Sequence, residues 1–153
     1  MTELYRAGGC LNEGFVGQIA YTVCLDRVYE ELDIHFVFDK QHYTAVTDEL
    51  REKIAKICRE KYHKNENDVT TEELDRLILH EAKAEIHIAV MMNDAFLGCV
   101  HRQLTDRHLH FTATEATEGC IPSASYFGVL KVIVLVFNVI LDDTRYELSV
   151  SAR

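Results

Sequence analysis

The chain has 153 residues, 48% of them hydrophobic, which suffices for one ordinary domain, residues 1–153, with its own core and no disulfide staples. Its 25 acidic residues outweigh 16 basic ones for a formal charge of -9, which argues against nucleic acid and anionic membrane as partners, since both require a basic surface. The opening MTELYRAGGCLNEG lacks the basic-then-apolar order of a secretory signal, and no apolar run approaches the roughly 18 residues of a membrane span, so the expected location is cytoplasmic.

Residues 1 to about 14 carry Gly8, Gly9 and Gly14 and read as a loose lead-in. Ile19, Tyr21, Val23 and Leu25 then alternate with Ala20, Thr22, Cys24 and Asp26, and Leu32, Ile34, Phe36 and Phe38 alternate with Asp33, His35, Val37 and Asp39. This period of two predicts two strands with one apolar stripe each. From Val46 to Tyr62 the period lengthens, with Val46, Leu50, Ile54, Ile57 and Cys58 on one helical face. Thr70 with Glu73 forms a capping box, and Val69 with Leu74 supplies a hydrophobic staple. A second helix therefore starts there and ends near His80, making 46–80 a helical insertion.

Ile86, Ile88 and Val90 alternate with Glu85, His87 and Ala89 as a third strand, which Asn93-Asp94 turns into a strand from Phe96 to Gln103. Thr105-Asp106 turns the chain again into His108 to Ala113. Thr114 to Phe127 has no period and holds the single proline, the kind of long connection that is either functional or mobile. Lys131 to Leu141 is crowded with branched residues on both faces, as expected of a central strand covered from two sides. Asp142, Asp143 and Thr144 turn it into the alternating strand Arg145 to Val150, so a β-hairpin is expected to close the chain.

Two segments carry a family resemblance. Tyr21-Thr-Val-Cys-Leu-Asp-Arg-Val-Tyr-Glu-Glu-Leu-Asp-Ile-His-Phe-Val-Phe-Asp39 resembles the opening of the β-sandwich accessory domain that precedes the metallohydrolase domain in CehA/McbA-type proteins of the PHP superfamily. Ala116 to Val132 (ATEGCIPSASYFGVLKV), leading into Arg145-Tyr146-Glu147-Leu148, is similar to that domain's closing loop, long strand and hairpin. The resemblance covers about half the chain and departs from the family at the two helices and at Gly98-Cys99-Val100-His101-Arg102. No metallohydrolase domain follows in this sequence, so its metal chemistry does not carry over. What the resemblance implies is a mainly β fold, an antiparallel β-sandwich of about seven strands with two helices between strands 2 and 3. Periodicity alone equally permits an α+β two-layer arrangement, one antiparallel sheet with both helices on one face.

The densest chemistry lies in the middle strands, where Glu85-x-His87 and His108-x-His110 each place two polar side chains on one strand face. If Leu97 and Cys99 face the core with Ile86, Ile88 and Val90, then Glu85, His87 and Arg102 share the outer face, and His108 and His110 join them. That group is the candidate ligand-binding site, with Glu85, His87, His108 and His110 as candidate ligands of a divalent metal. The alternative is a solvated face with a Glu85–Arg102 cross-strand pair worth about a few tenths of a kcal/mol.

Other signals are weaker. His80-Glu81 lacks the second histidine of a zinc-protease HExxH, since position 84 is alanine. Gly8-Gly9 and Gly14-x-x-Gly17 precede a strand and make no phosphate cradle. The five cysteines are odd in number and widely scattered, so they are expected to be reduced, with Cys24, Cys58 and Cys99 as small buried apolar residues. Cys120, beside Ser123 and Ser125, is the one placed where a reactive thiol could sit. With no nucleophile, base or cofactor constellation, the expectation is a non-enzymatic cytoplasmic binding or assembly module, a homodimer, with no resident cofactor. The competing class is a small metal-assisted hydrolase or isomerase using the His/Glu cluster.

Overall fold

The computed structural model describes residues 1–62, 69–101 and 104–153. Among these residues the order is β1 (Thr2–Leu11), β2 (Gly17–Tyr29), β3 (Leu32–Phe38), α1 (Asp48–Tyr62), α2 (Thr71–Arg76, continued by a π-turn over Leu77–Glu81), β4 (Glu85–Met92), β5 (Ala95–Val100), β6 (Asp106–Phe111), β7 (Tyr126–Asn138) and β8 (Thr144–Ala152). The strands form two four-stranded antiparallel sheets, ordered β1-β8-β3-β6 and β2-β7-β4-β5. A single sheet with both helices on one face is therefore not the arrangement.

The inner faces of both sheets meet in one buried cluster. Leu32, Ile34 and Phe36 of β3 and Leu148 and Val150 of β8 contribute from one side, Ile88 and Val90 of β4 and Leu130, Val132 and Val134 of β7 from the other, all fully buried. Each such side chain contributes about 1.5–3 kcal/mol by leaving water. A polar tie crosses the same interior: the Tyr21 and Tyr146 hydroxyls lie 2.6 Å apart and link β2 to β8. Burial raises the Tyr146 pKa well above that of an ordinary phenol, so this hydroxyl keeps its proton.

Three expectations are corrected here. The lead-in is not loose, because β1 pairs with β8 along its length and makes eight strands where about seven were expected. Its glycines hid it: a Cβ on Gly9 would stand 2.6 Å from ring carbons of Tyr146, so the glycine marks a strand across which an aromatic ring lies. Nor do β7 and β8 form a hairpin, since β7 pairs with β2 and β4 while β8 pairs with β1 and β3. The turn at Asp142–Thr144 carries the chain from one sheet to the other. Finally, β7 is central in its sheet but covered on one side only, with Phe127 52%, Val129 40% and Phe137 52% exposed on its outer face.

The second helix of the insertion, α2, begins as its sequence dictates. Thr70 Oγ1 accepts from the Glu73 amide at 3.2 Å, and Glu73 Oε2 accepts from the Thr70 amide at 2.9 Å, the reciprocal capping box. Arg51 on α1 donates to both carboxylate oxygens of Asp75 on α2, at 2.7 and 2.9 Å. The pair crosses one end of the sheets, where Ile54, Ile57 and Leu77 line a recess with Phe137, Val139 and Ile140. The apolar stripe of α1 is only half-buried; Ile78 in the π-turn is the residue sealed completely. Ile78→Ala is accordingly expected to lose about 2–5 kcal/mol in denaturant unfolding, and Ile54→Ala clearly less. An equal or larger loss at Ile54 would contradict this seating of the helices.

Candidate functional site

Of the five expected site residues, the four that are described do not converge. Glu85 and His87 belong to β4 in the second sheet, whereas His108 and His110 belong to β6 in the first, so the core lies between the two pairs. Arg102 lies outside the described residues. Each pair joins other partners instead.

The first group is made by a bulge. Val90 pairs with Gly98 and Met91 with Phe96, leaving Leu97 as the extra residue in β5. Past this point the alternation is reversed relative to a straight strand: Val100 pairs with Ile88 and is buried, and Cys99 pairs with Ala89 on the outer face. Cys99 and His101 thus come to stand beside His87, where strict alternation had put Cys99 in the core. Gly98 permits the bulge, with a φ of +147° and a position where a Cβ would come 2.5 Å from Cys120 Cα and strike the Gly119 carbonyl. Gly98→Ala is expected to cost about 3 kcal/mol, read as a lowered melting temperature. A neutral result would mean that the bulge does not depend on glycine.

His87 is 8% exposed although it points away from the core, because Phe137 and His101 pack on it at ring-centroid distances of 4.7 and 4.8 Å. Its Nδ1 is 3.0 Å from Nδ1 of His101. On the other edge of the ring, Nε2 is 3.1 Å from Glu85 Oε1 but is not aligned for a hydrogen bond and makes none. One ligand atom each from His87, Cys99 and His101 lies within 4.8 Å of the others. Burial lowers the His87 pKa, the neighbouring His101 lowers it further, and Glu85 partly opposes them. Burial pushes the Cys99 thiol up, against the pull of the Arg107 guanidinium. Arg107 is itself buried over the rings of Phe36 and Phe38, at 5.1 and 5.9 Å, and burial brings its pKa down to about 10.

The second group is a cross-strand ladder on the outer face of β3 and β6. His35 and His108 face each other in register and stack at 4.1 Å with 6° between ring planes. Each has a carboxylate: His35 Nε2 meets Asp106 Oδ1 at 2.8 Å, and His108 Nδ1 meets Asp33 Oδ1 at 3.0 Å. His110 Nε2 lies 3.3 Å from Glu31, which also pairs with Arg153. Asp106, His108 and His110 carry the more exposed side chains while His35, Asp33 and Glu31 are half-buried beneath them, and such mutually paired surface contacts are worth about 0.2–1 kcal/mol each.

Sequence reasoning missed Cys99, His101, His35, Asp106 and Asp33 as site members. A glycine inside a strand was the available signal for the first two, since it often marks a bulge. Nothing local announced that β3 would pair with β6.

The thiols also differ from expectation. Cys10 and Cys24 are exposed, while Cys58, Cys99 and Cys120 are half-buried. Burial, with Cys99 adding to it, raises the Cys120 thiol to about 11, so at pH 8 only about one molecule in a thousand carries the thiolate there. Cys120 should therefore alkylate with iodoacetamide far more slowly than Cys10 or Cys24 in peptide mapping at pH 8. Comparable rates would restore it as a reactive thiol.

Fold and site together define a two-sheet antiparallel β protein with a helical pair across one end and a half-buried Cys/His group on one sheet face. The chain belongs to a family of unknown function, DUF6669, whose family model matches residues 1–153. No curated protein matches it. Among the described residues no helix is long and apolar enough to cross a membrane.

Proposed function

We propose that the chain is a non-enzymatic cytoplasmic β-sandwich that serves as a binding and assembly module, joining a second copy of itself through the outer face of the β2-β7-β4-β5 sheet. The observation that carries this reading is the composition of that face. Along β7 it presents Phe127, Val129, Ile133, Leu135 and Phe137, with Met91 of β4 on one side and Gln18, Ala20, Thr22 and Cys24 of β2 on the other. The outer face of an antiparallel sheet is ordinarily polar when water covers it, and apolar patches of this extent mark interaction sites.

A second copy is the occupant that charge and area favour. The single charge on the outer face of β7 is Lys131, held by Asp94 at 2.6 Å, so the central strip that would meet a second copy carries few of the carboxylates behind the chain's charge of -9. The span from Phe127 to Phe137 is about 33 Å and four strands are about 19 Å across. The face offers about 600 Å² per copy, within the range of specific interfaces, and a two-fold axis closes the assembly. The hydrolase alternative loses its ligand set, because Glu85 and His87 face away from His108 and His110 across the core.

Light scattering in a chelating buffer tests the proposal. At high micromolar concentration the protein should show twice its mass of 17.6 kDa, and Ile133→Glu, which sets a charge in the centre of the face, should return it to the monomer mass with its circular dichroism unchanged. A monomeric wild-type protein would overturn the assembly.

A further inference from the structure

The group at the β4–β5 edge has the composition and layout of a metal centre, and we infer that Cys99, His87 and His101 bind a zinc-class divalent transition-metal ion, with the Glu85 carboxylate supporting His87 from behind. The inference does not depend on the dimer.

Ligand chemistry gives the first argument. One thiolate and two imidazoles are a borderline-soft set that suits zinc and its neighbours, whereas magnesium and calcium require oxygen ligands. Geometry gives the second. The two Nδ1 atoms that face each other at 3.0 Å would stand about 3.3 Å apart as tetrahedral zinc ligands with bonds of about 2.0–2.1 Å. The ion needs a few tenths of an ångström of separation there, together with a turn of the rings that brings both lone pairs onto one point. Cys99 Sγ already lies within 4.8 Å of both rings, and His101 is exposed at the end of its strand, so its ring has room to turn toward the thiol.

The orphaned nitrogen gives the third argument. His87 is more than nine-tenths buried, yet its Nε2 makes no hydrogen bond while a carboxylate oxygen waits 3.1 Å away. In the apoprotein the proton shared between the facing Nδ1 atoms leaves the His87 tautomer undetermined. Metal bound at Nδ1 settles it, placing the proton on Nε2, where a small turn of the Glu85 carboxylate 3.1 Å away lets it accept. Ligating histidines characteristically donate their other N–H to a carboxylate in this way, which orients the ring and raises its basicity. Binding also releases the thiol proton of Cys99 to solvent, as metal binding by cysteine requires.

Three protein ligands leave the fourth position open. Water would fill it in the isolated chain.

Cobalt titration of untagged, metal-free protein is the test, because cobalt substitutes for zinc and reports a thiolate ligand by its sulfur-to-metal charge-transfer band. Wild-type protein should develop the band to one equivalent and lose it on adding one equivalent of zinc. Cys99→Ser should abolish the band, and His101→Ala, at an exposed position, should weaken binding at least tenfold. Glu85→Gln should keep the band and weaken binding about 10- to 100-fold, the signature of a positioning residue. Cys120→Ser should change nothing. Absence of the band in wild-type protein, its survival in Cys99→Ser, or an equal loss in Cys120→Ser would overturn the site. The mass measurement above is made in chelator, so failure of either proposal leaves the other standing.

Discussion

The rest of the structure depends on the burial of β7 and β8 against each other from opposite sheets. Both strands carry a full row of apolar side chains, Leu130 to Val136 on one and Tyr146 to Val150 on the other. As neighbours in one sheet they would have turned those rows the same way, toward a single cover. Split between two sheets, each row becomes the other's cover. The crossing is held by short polar contacts: Thr144 Oγ1 donates to the Leu141 carbonyl at 2.7 Å, the Arg145 amide to Asp39 at 2.9 Å, and Lys40 Nζ to the Asp142 carbonyl at 2.7 Å. Every other strand is placed by this division, since β1 and β3 must flank β8 while β2 and β4 flank β7.

The same division explains why one polar cluster became two. Strands β5 and β6 follow each other in the chain but end as edge strands of different sheets, so histidines close in sequence look outward in opposite directions. Their surroundings then diverge. On β6 the alternation is regular, and His108 and His110, whose side chains are the more open to water, meet the half-buried Asp33 and Glu31 in a surface ladder that water reaches from the histidine side. On β5 the bulge at Gly98 draws Cys99 and His101 over a histidine already covered by Phe137. Low exposure keeps that imidazole neutral and that thiol protonated, and a neutral imidazole is the form that donates a lone pair.

The helical pair stands apart from this logic. It is joined within itself by the Arg51–Asp75 fork and meets the sheets along the recess that Ile54, Ile57 and Leu77 share with Phe137, Val139 and Ile140. It crosses one end of the two sheets, reaching Phe137, and leaves the outer face of β7 from Phe127 to Leu135 uncovered.

Local pattern was enough to determine much of this from the amino-acid order alone. The alternation in β2, β3 and β4, the lengthened period of α1, the Thr70–Glu73 cap and the Asn93–Asp94 turn, both of whose residues have positive φ, are set by contacts within a few residues. Tertiary structure decided what those contacts do not reach. Whether β8 folds back on β7 or crosses to the other sheet depends on which apolar rows can cover each other. Whether 1–14 becomes a strand depends on Tyr146 lying across Gly9. Which side chains join His87 depends on one extra residue at Leu97–Gly98, tolerated because the backbone of Gly119 and Cys120 fits where a side chain would have been. A period of two shows that a strand has faces, but a single bulge exchanges them, and the pairing partner that stabilises the bulge lies some twenty residues away in the chain.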